Sequence, residues 1–534
     1  MNRYALLADG PGFQGVFAEF SRTFWSAVLR ISEAMVAAAP FLVAGVLAAG
    51  VLRGMVGADR TRKILGLGHW SGPFRAWALG ILLPICSLGA LPVARELRRA
   101  GVPSGTVLSF VLVAPVLNPV SIIYGLSHIA PVMLVYFAVG TFVVSVGIGT
   151  IWNRVISEGR DLDPATLESV PRDSVARLAV AGATTARSLV GPAAIDYGLA
   201  LLAVGFLGAF LPHGVLQTGL TRDNALAPVI MGLVAIPVYV TPTEVMMHFG
   251  HIVQDGYSLG AAFALILLGA GANVGVANWL RRDYGGKALL FFVCLLIGST
   301  LMIGVTADRS IIHGNATVKD HTHAFDSFTR LATVSAENAN LTWVVQQVRS
   351  SIRVDEVCGL ALLAVIAAVG IGLRIAGERV SIDHLLVNDS SSQATTSPAW
   401  NPTLSPLQLT LAGVVCAFGV AVCGLYIFYP SVDNLISDMN NIRVDAYDAA
   451  KSGDIVETRR RLDQWRTLVE KMPTSLLIRT GRVTEGQRES VDNVLYNLKT
   501  LQGYVAVGRA QEAGMMVSHI EREFRACCSK FREE

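Results

Sequence analysis

Runs of about 20 apolar residues recur along this chain, and no other feature limits its fold so strongly. In hydrocarbon every backbone donor and acceptor must be satisfied within the chain, so such runs become spanning helices. The candidates are residues 31–52, 105–124, 130–152, 195–212, 258–279, 288–306, 358–376 and 407–429. Composition agrees, with 52% hydrophobic residues, only 16% charged and a mean hydropathy of +0.50. A soluble domain carries about 25% charge. The net charge of +3 is too small to suggest a nucleic-acid partner. The N-terminus reads MNRYALLADGPGFQG, without a compact apolar region and cleavage site, so no cleaved signal peptide is expected.

Two apolar stretches differ from the rest. Residues 76–93 (WALGILLPICSLGALPVA) contain Pro84 and Pro92, and residues 227–245 (APVIMGLVAIPVYVTPTEV) contain Pro237 and Pro242. Proline removes a backbone donor and clashes with the preceding turn, so neither stretch is expected to be an unbroken helix. Short cytoplasmic loops are enriched in Lys and Arg. Arg53, Arg60, Arg62, Lys63 and Arg75 precede the first stretch, and Arg95, Arg98 and Arg99 follow it. Both flanks then lie inside, which makes 76–93 a re-entrant hairpin. The flanks of 227–245 hold a single Arg, whereas Arg281, Arg282 and Lys287 follow span 258–279. That hairpin enters from outside. Each half has three spans and one hairpin, so the halves are inverted, with a site expected at their interface. Gly101, Gly105 and Asn118 recur 155 residues later as Gly256, Gly260 and Asn273, and Pro84 matches Pro237 at a spacing of 153. The rival arrangement makes both hairpins full spans and the repeats parallel, at the cost of placing one basic flank outside.

The expected fold is an all-α polytopic membrane protein with two inverted repeats, two additional C-terminal spans and a soluble helical-bundle tail. Residues 1–30 form an N-terminal interfacial segment, 31–152 the first repeat, 153–194 a cytoplasmic linker and 195–306 the second repeat. An external loop covers 307–357. Two extra spans with a flexible linker at 384–406 occupy 358–429. In residues 431–534, Leu462, Trp465, Val469 and Met472 mark one apolar face and Val491, Leu495, Leu498, Leu501 and Val505 another. Asp454–Glu457 and Thr484–Gln487 have capping-box spacing or a near variant, and Pro473 is expected to end a helix. This domain offers a surface for a homo-oligomer or an accessory protein.

Broken helices at membrane depth must be buried in protein or line a wet cavity. Pro84, Cys86 and Ser87 in the first hairpin, and Pro237, Tyr239 and Thr241 in the second, are therefore candidate substrate-binding residues. Asn118 and Asn273 are polar groups inside spans, serving either as substrate contacts or as helix glue. Glu244 is a carboxylate at membrane depth and a candidate proton-coupling group, unless it sits solvated at an external mouth. His248 extends that candidate path, with His251 beyond it, or both are merely interfacial. Met515, His519 and Cys527 fall on one face of the last helix, but no second His or CxxC supports metal there, and the metal set is unknown. The alternative packs Met515 and Met516 inward. No GxxxxGK[ST], CxxCH or HExxH motif occurs, so no cofactor, ATP hydrolysis or catalytic role is expected.

The segment GILLPICSLGALPVARELRRAGVPSGTVLSFVLVAPVLNPVSI resembles the signature of the ArsP-like predicted permeases, in which P-x-C-S-C-G-x-x-P precedes L-R-R-x-G. IPVYVTPTEVMMHFGHIVQDGYSLGAAFALILLGAGANV is similar to that family's second signature. The resemblance covers roughly residues 30–306 and implies a membrane permease, with relatives associated with export of organoarsenicals or metal ions. Leu88 replaces the second Cys of C-S-C, and a soft metal or metalloid prefers several thiolates. The expectation is a secondary exporter of a small solute, metal ion or metalloid compound, in a bacterial inner membrane. The alternative is a membrane-anchored sensor or scaffold acting through its C-terminal domain.

Overall fold

The computed structural model describes residues 13–66, 71–129, 131–156, 174–212, 214–222, 224–235, 239–271, 273–310, 325, 328–329, 340–376, 406–451 and 455–532. Among them the regular elements are helices, with one isolated antiparallel bridge between Thr221 and Tyr257. The chain divides into two compact units, Met1–Ile312 with Thr317–Ala417, and His313–Ala316 with Phe418–Glu534.

In the first unit, α1 (Phe13–Val51) passes through a π-helical turn (Leu52–Val56) into α2 (Ala58–Leu65). No structural break falls at the expected 30/31 boundary. Next come α3 (Ser71–Leu82), α4 (Ser87–Arg99), α5 (Ser104–Val113), α6 (Pro119–His128) and α7 (Pro131–Val155). The segment expected as a linker contains α8 (Ser174–Val190). The second half comprises α9 (Ala193–Phe210), α10 (Val215–Gly219), α11 (Ala227–Ala235), α12 (Pro242–Gln254), α13 (Leu259–Gly271), α14 (Val274–Tyr284) and α15 (Gly286–Ser310). Then follow α16 (Leu341–Ser351), α17 (Val354–Ile375) and α18 (Pro406–Phe428), whose end lies in the second unit. Among the described residues, five helices are long and apolar enough to cross a membrane: Glu19–Val56, Pro131–Val155, Ala193–Phe210, Gly286–Asp308 and Val354–Ile375. The pair Leu259–Gly269 and Val274–Tyr284, bent by 48°, makes a sixth if it is one crossing.

Stretch 76–93 is broken at 83–86, around Pro84, between α3 and α4, whereas α4 runs through Pro92. Two further breaks were not expected. Segments 105–124 and 258–279 read as continuous spans, yet α5 stops at Val113 and α13 at Gly271. An Asn caps the helix that resumes in each case, Asn118 for α6 and Asn273 for α14. An Asn side chain competes with the backbone for hydrogen bonds and so favours a cap over a helix interior.

The halves correspond closely in register. Helices α4 and α12 begin and end 155 residues apart, as do α7 and α15. Gly101 and Gly256 follow α4 and α12 with φ of 75° and 83°, a region that only Gly enters cheaply. Gly105 and Gly260 let helices touch. A Cβ on Gly105 would lie 2.0 Å from the Gly149 carbonyl oxygen, and one on Gly260 2.7 Å from that of Gly304. Asn153 Oδ1 accepts the Gly105 N–H at 2.7 Å, and Asp308 Oδ1 accepts the Gly260 N–H at 2.9 Å. Accordingly α5 packs on α7, and α13 on α15.

The second unit contains α19 (Val432–Lys451), α20 (Ile455–Thr480), α21 (Glu485–Val507) and α22 (Ala510–Arg532). Leu462, Trp465, Val469, Met472, Val491, Leu498 and Leu501 are buried in its core as their spacing requires, with Leu495 and Val505 partly buried. Thr484 and Gln487 form a capping box, whereas Asp454 lies outside the described residues. Pro473 does not end a helix, because α20 runs through it. Proline costs about 3 kcal/mol inside a helix, but Met472 and Leu476 on either side are buried, and each such burial is worth about 1.5–3 kcal/mol. Met515 is 67% exposed, not packed inward, while Cys527 is buried. That helix therefore presents no shared Met–His–Cys face.

Candidate functional site

Four helices of the first unit start at one place. Cys86 caps α4, with its thiol accepting the Gly89 N–H at 3.4 Å. Asn118 caps α6, with Oδ1 accepting the Val120 and Ser121 N–H groups at 3.0 Å each. Thr241 caps α12 in a capping box: Glu244 Oε2 accepts from the Thr241 N–H at 2.9 Å and its hydroxyl at 2.7 Å. Asn273 caps α14, with Oδ1 accepting the Val276 N–H at 3.1 Å. All four caps are fully buried.

Hydrogen bonds join these four starts. Asn118 Nδ2 donates to the Ile85 carbonyl at 3.3 Å, which links α6 to the break before α4. Ser121 Oγ donates to the Pro242 carbonyl at 3.3 Å, which links α6 to α12. Asn273 Nδ2 donates to Ser87 Oγ at 2.9 Å, which links α14 to α4. The last two bonds connect the two halves of the unit. Asn118 and Asn273 are therefore both helix glue and part of the centre. Tyr239 is buried, and its hydroxyl interacts with the Cys86 thiol. Pro84 lies in the first break. Pro237 lies outside the described residues.

Tyr239 and Glu244 line a cavity of about 50 Å³ together with Arg30, Glu33, Val240 and Phe328. At roughly 10–15 Å³ per water, it has room for a few waters or a small solute. Arg30 donates to Glu33 at 2.9 Å and to the Thr329 carbonyl at 2.7 Å. His248 is buried on α12, its ring 4.7 Å from that of Phe328. Leu88 is buried in the apolar core. The described side chains of Cys294, Cys358 and Cys423 are exposed, so none of them replaces the missing thiol beside Cys86. No group of three or more His, Cys, Asp or Glu suited to a metal occurs among the described residues.

Sequence reasoning missed an ionic network and its neighbour. Asp196, fully buried in the first turn of α9, accepts from Arg95 at 2.6 Å, Arg282 at 3.1 Å and Asn278 at 2.7 Å. Arg98 pairs with Asp283 at 2.6 Å and lies 4.3 Å over the Tyr284 ring. These bonds also cross between the halves, from α4 to α9 and α14. Tyr197, one residue on, is buried, its hydroxyl without a hydrogen-bond partner among the described residues and within electrostatic reach of Cys86, Arg95 and Asp196. The available signal was Asp196 itself, a carboxylate entering an apolar run.

A multi-pass helical protein whose broken helices are tied together around a buried polar centre has the arrangement of a membrane permease. The chain belongs to the ArsP_1 predicted permease family, which matches residues 24–308. It is 25% identical over 290 residues to UPF0718 protein YcgR of Bacillus subtilis (strain 168), covering 51% of this chain and 94% of that protein. No solved structure matches the chain. Membership of a permease family points to transport of a small solute or ion rather than to catalysis.

Proposed function

We propose that the chain is a secondary exporter in the bacterial inner membrane. Its substrate is a small solute, metal ion or metalloid compound held where the four helices begin. The two halves are inverted repeats, each with a re-entrant hairpin (α3–α4 and α11–α12), and transport rocks one half against the other. The observation that carries this reading is the crossing of bonds at the breaks, Asn273 to Ser87 and Ser121 to Pro242. A site built from both halves changes shape when they move, as alternating access requires. Cys86, Ser87, Tyr239 and Thr241 contact the substrate. Glu244, on the cavity wall, takes up the coupling proton, and His248 lies one turn further along α12. With Leu88 at the second thiol position, the centre has one thiol and holds a soft metal less well than a family member with two.

Inverted vesicles test this with a panel of metal ions, metalloid oxyacids and small organic solutes driven by an imposed pH gradient. Cys86→Ala is expected to slow flux of the accepted solute. Glu244→Gln is expected to leave flux that no longer responds to the gradient. Wild-type flux and gradient response in both variants would remove the proposed site.

A further inference from the structure

The helical bundle of the second unit is fastened to the end of the last apolar run, and the fastening decides which end of the bundle meets lipid. Residues 407–432 carry no charged side chain, and 407–429 have the length and composition of a span. Helix α18 follows this run, with Leu411, Val414 and Phe418 exposed on it. Tyr426, Phe428 and Tyr429 close the run. Aromatic residues collect at that level because their rings suit the boundary between hydrocarbon and water.

Three successive turns of α20 hold this boundary. Lys471 Nζ lies 3.9 Å from the centre of the Phe428 ring. Ser475 donates to the Pro430 carbonyl. Arg479 donates to the Tyr426 and Tyr429 carbonyls at 3.2 Å each, and its guanidinium lies 5.0 Å from the centre of the Tyr426 ring. The last carbonyls of a helix have no partner within it, so Arg479 completes the end of α18. Only residues 429–431 separate α18 from α19, and α20 grips both Tyr429 and Pro430. The bundle is therefore clamped to the end of α18, not hung from a tether.

The helices then alternate in direction, with α19 on α20, α20 on α21, α21 on α22 and α22 back on α19. Gln487 donates to the Lys530 carbonyl at 3.0 Å, so the start of α21 and the end of α22 share one end of the bundle with the end of α20. Val507, at the other end of α21, is about 33 Å from Glu485 along the helix axis. At the α18 end, Leu477 in the last turn of α20 is 44% exposed, and Arg482 in the following turn is exposed. One exposed leucine is ordinary on a surface in water. This one stands between Ser475 and Arg479, both bonded to the residues that end α18. Long cationic side chains at that level lay their stems on apolar surface and keep their charge among the headgroups.

We propose that the α20–α21 end of the bundle is a membrane contact surface, with Leu477 at the boundary of headgroups and acyl chains and Arg482 on phospholipid phosphate. A guanidinium suits that partner, because its parallel N–H donors match two phosphate oxygens.

The test uses the full-length protein, one chain per lipid nanodisc, with a fluorescent coumarin amino acid placed at position 418, 477 or 507 by stop-codon suppression. All three positions are exposed, so the native cysteines and the core stay as they are. Two quenchers are compared: phosphatidylcholine carrying a nitroxide on its headgroup, and aqueous iodide. The probe at 477 is expected to be quenched by the headgroup nitroxide and shielded from iodide, and the probe at 507 the reverse. The probe at 418 is expected to be shielded from iodide and quenched by a nitroxide placed midway along the acyl chain. Arg482→Glu is expected to weaken headgroup quenching at 477 and leave iodide quenching at 507 unchanged. Iodide quenching at 477 equal to that at 507 would overturn the proposal. Iodide quenching at 418 would also overturn it, by removing α18 from the bilayer. Shielding of 477 from both quenchers would mean that protein covers this end, and would overturn the lipid contact. Headgroup quenching at 477 that Arg482→Glu does not weaken would overturn the phosphate contact.

Discussion

Replacing Asp196 with Asn would test whether the ionic network latches the two halves together. The carboxylate is fully buried and serves three donors, Arg95 at 2.6 Å, Asn278 at 2.7 Å and Arg282 at 3.1 Å. Asn keeps the shape but removes the charge, and its amide turns donors toward donors. Removing one partner of a buried ion pair costs about 3–5 kcal/mol. Here the two guanidinium side chains are 21% and 36% exposed, so water recovers part of that loss. We expect about 2–3 kcal/mol after the discount. If the bonds hold α4 against α9 and α14, this energy raises the population in which that contact is open by about 30- to 160-fold. Cys86 reports the opening, because its thiol is fully buried in the closed form. With the other cysteines replaced by serine, alkylation of Cys86 by a permeant maleimide should accelerate by that factor, and thermal unfolding should begin earlier. Arg525→Ala, in the second unit, is the control: its side chain is 73% exposed and its partner Glu521 lies one turn away on the same helix, so about 0.5 kcal/mol or less is at stake. Asp196→Asn behaving like this control in both measurements would refute the latch.

Three other outcomes are expected. Gly105→Ala and Gly260→Ala should each destabilise the protein by about 1–3 kcal/mol, because the added methyl meets backbone oxygen at 2.0 and 2.7 Å, whereas Gly147→Ala and Gly298→Ala meet nothing within 4 Å and should be neutral or slightly stabilising. Thermal unfolding of the four proteins side by side checks this, and equal melting temperatures would show that α5–α7 and α13–α15 are not held at van der Waals distance. In the second unit, burial works against ionisation of Glu457, but the Arg460 and Arg461 guanidinium groups outweigh it and hold its carboxyl below the usual range. A folded-state pKa below the unfolded one adds stability above the unfolded pKa, lost as pH falls through the folded value. Glu457→Gln should therefore flatten the acid limb of that unit's unfolding profile below about pH 4.5, and an unchanged limb would discount the pair. Single cysteines placed in 51–66 and at 100 should both be labelled from the cytoplasmic side. Labelling of one set from outside would overturn the inverted arrangement in favour of parallel repeats.

The multi-pass class was legible because spanning helices need long apolar runs, and such runs survive any detail of packing. The break at 83–86 was legible because proline cannot continue a hydrogen-bond ladder. The breaks at Asn118 and Asn273 were not, although both residues were singled out. Hydropathy averages over a window, and one capping amide in a long apolar run barely moves the average. Asp196 escaped for a related reason, because it stands at the edge of its run and its partners are 82 to 101 residues away in sequence. Pairing at that range depends on the packing of α4 against α9 and α14, which no local pattern encodes.

The register of the two halves shows why residue identity was a weak guide to their relationship. Prolines suggested a spacing of 153, whereas the caps and helix bounds agree on 155, which sets Cys86 opposite Thr241. Sulfur and hydroxyl do the same work there, each accepting the N–H of the third helical residue, at 3.4 Å in both cases. An identity comparison sees no match where the physics sees one. The next equivalence runs the other way. The residue that donates to Cys86 is Gly89, and the one that donates to Thr241 is Glu244. A Cβ at Gly89 would lie 2.7 Å from the Phe41 carbonyl oxygen, because α1 crosses α4 at that point. The first half therefore has no room for a carboxylate at this position, while the second half opens there onto the cavity. Equivalent backbones thus carry unequal charge, with the only acidic residue in the four first turns on one side of the junction. Close packing of α1 on α4 confines that carboxylate to the second half.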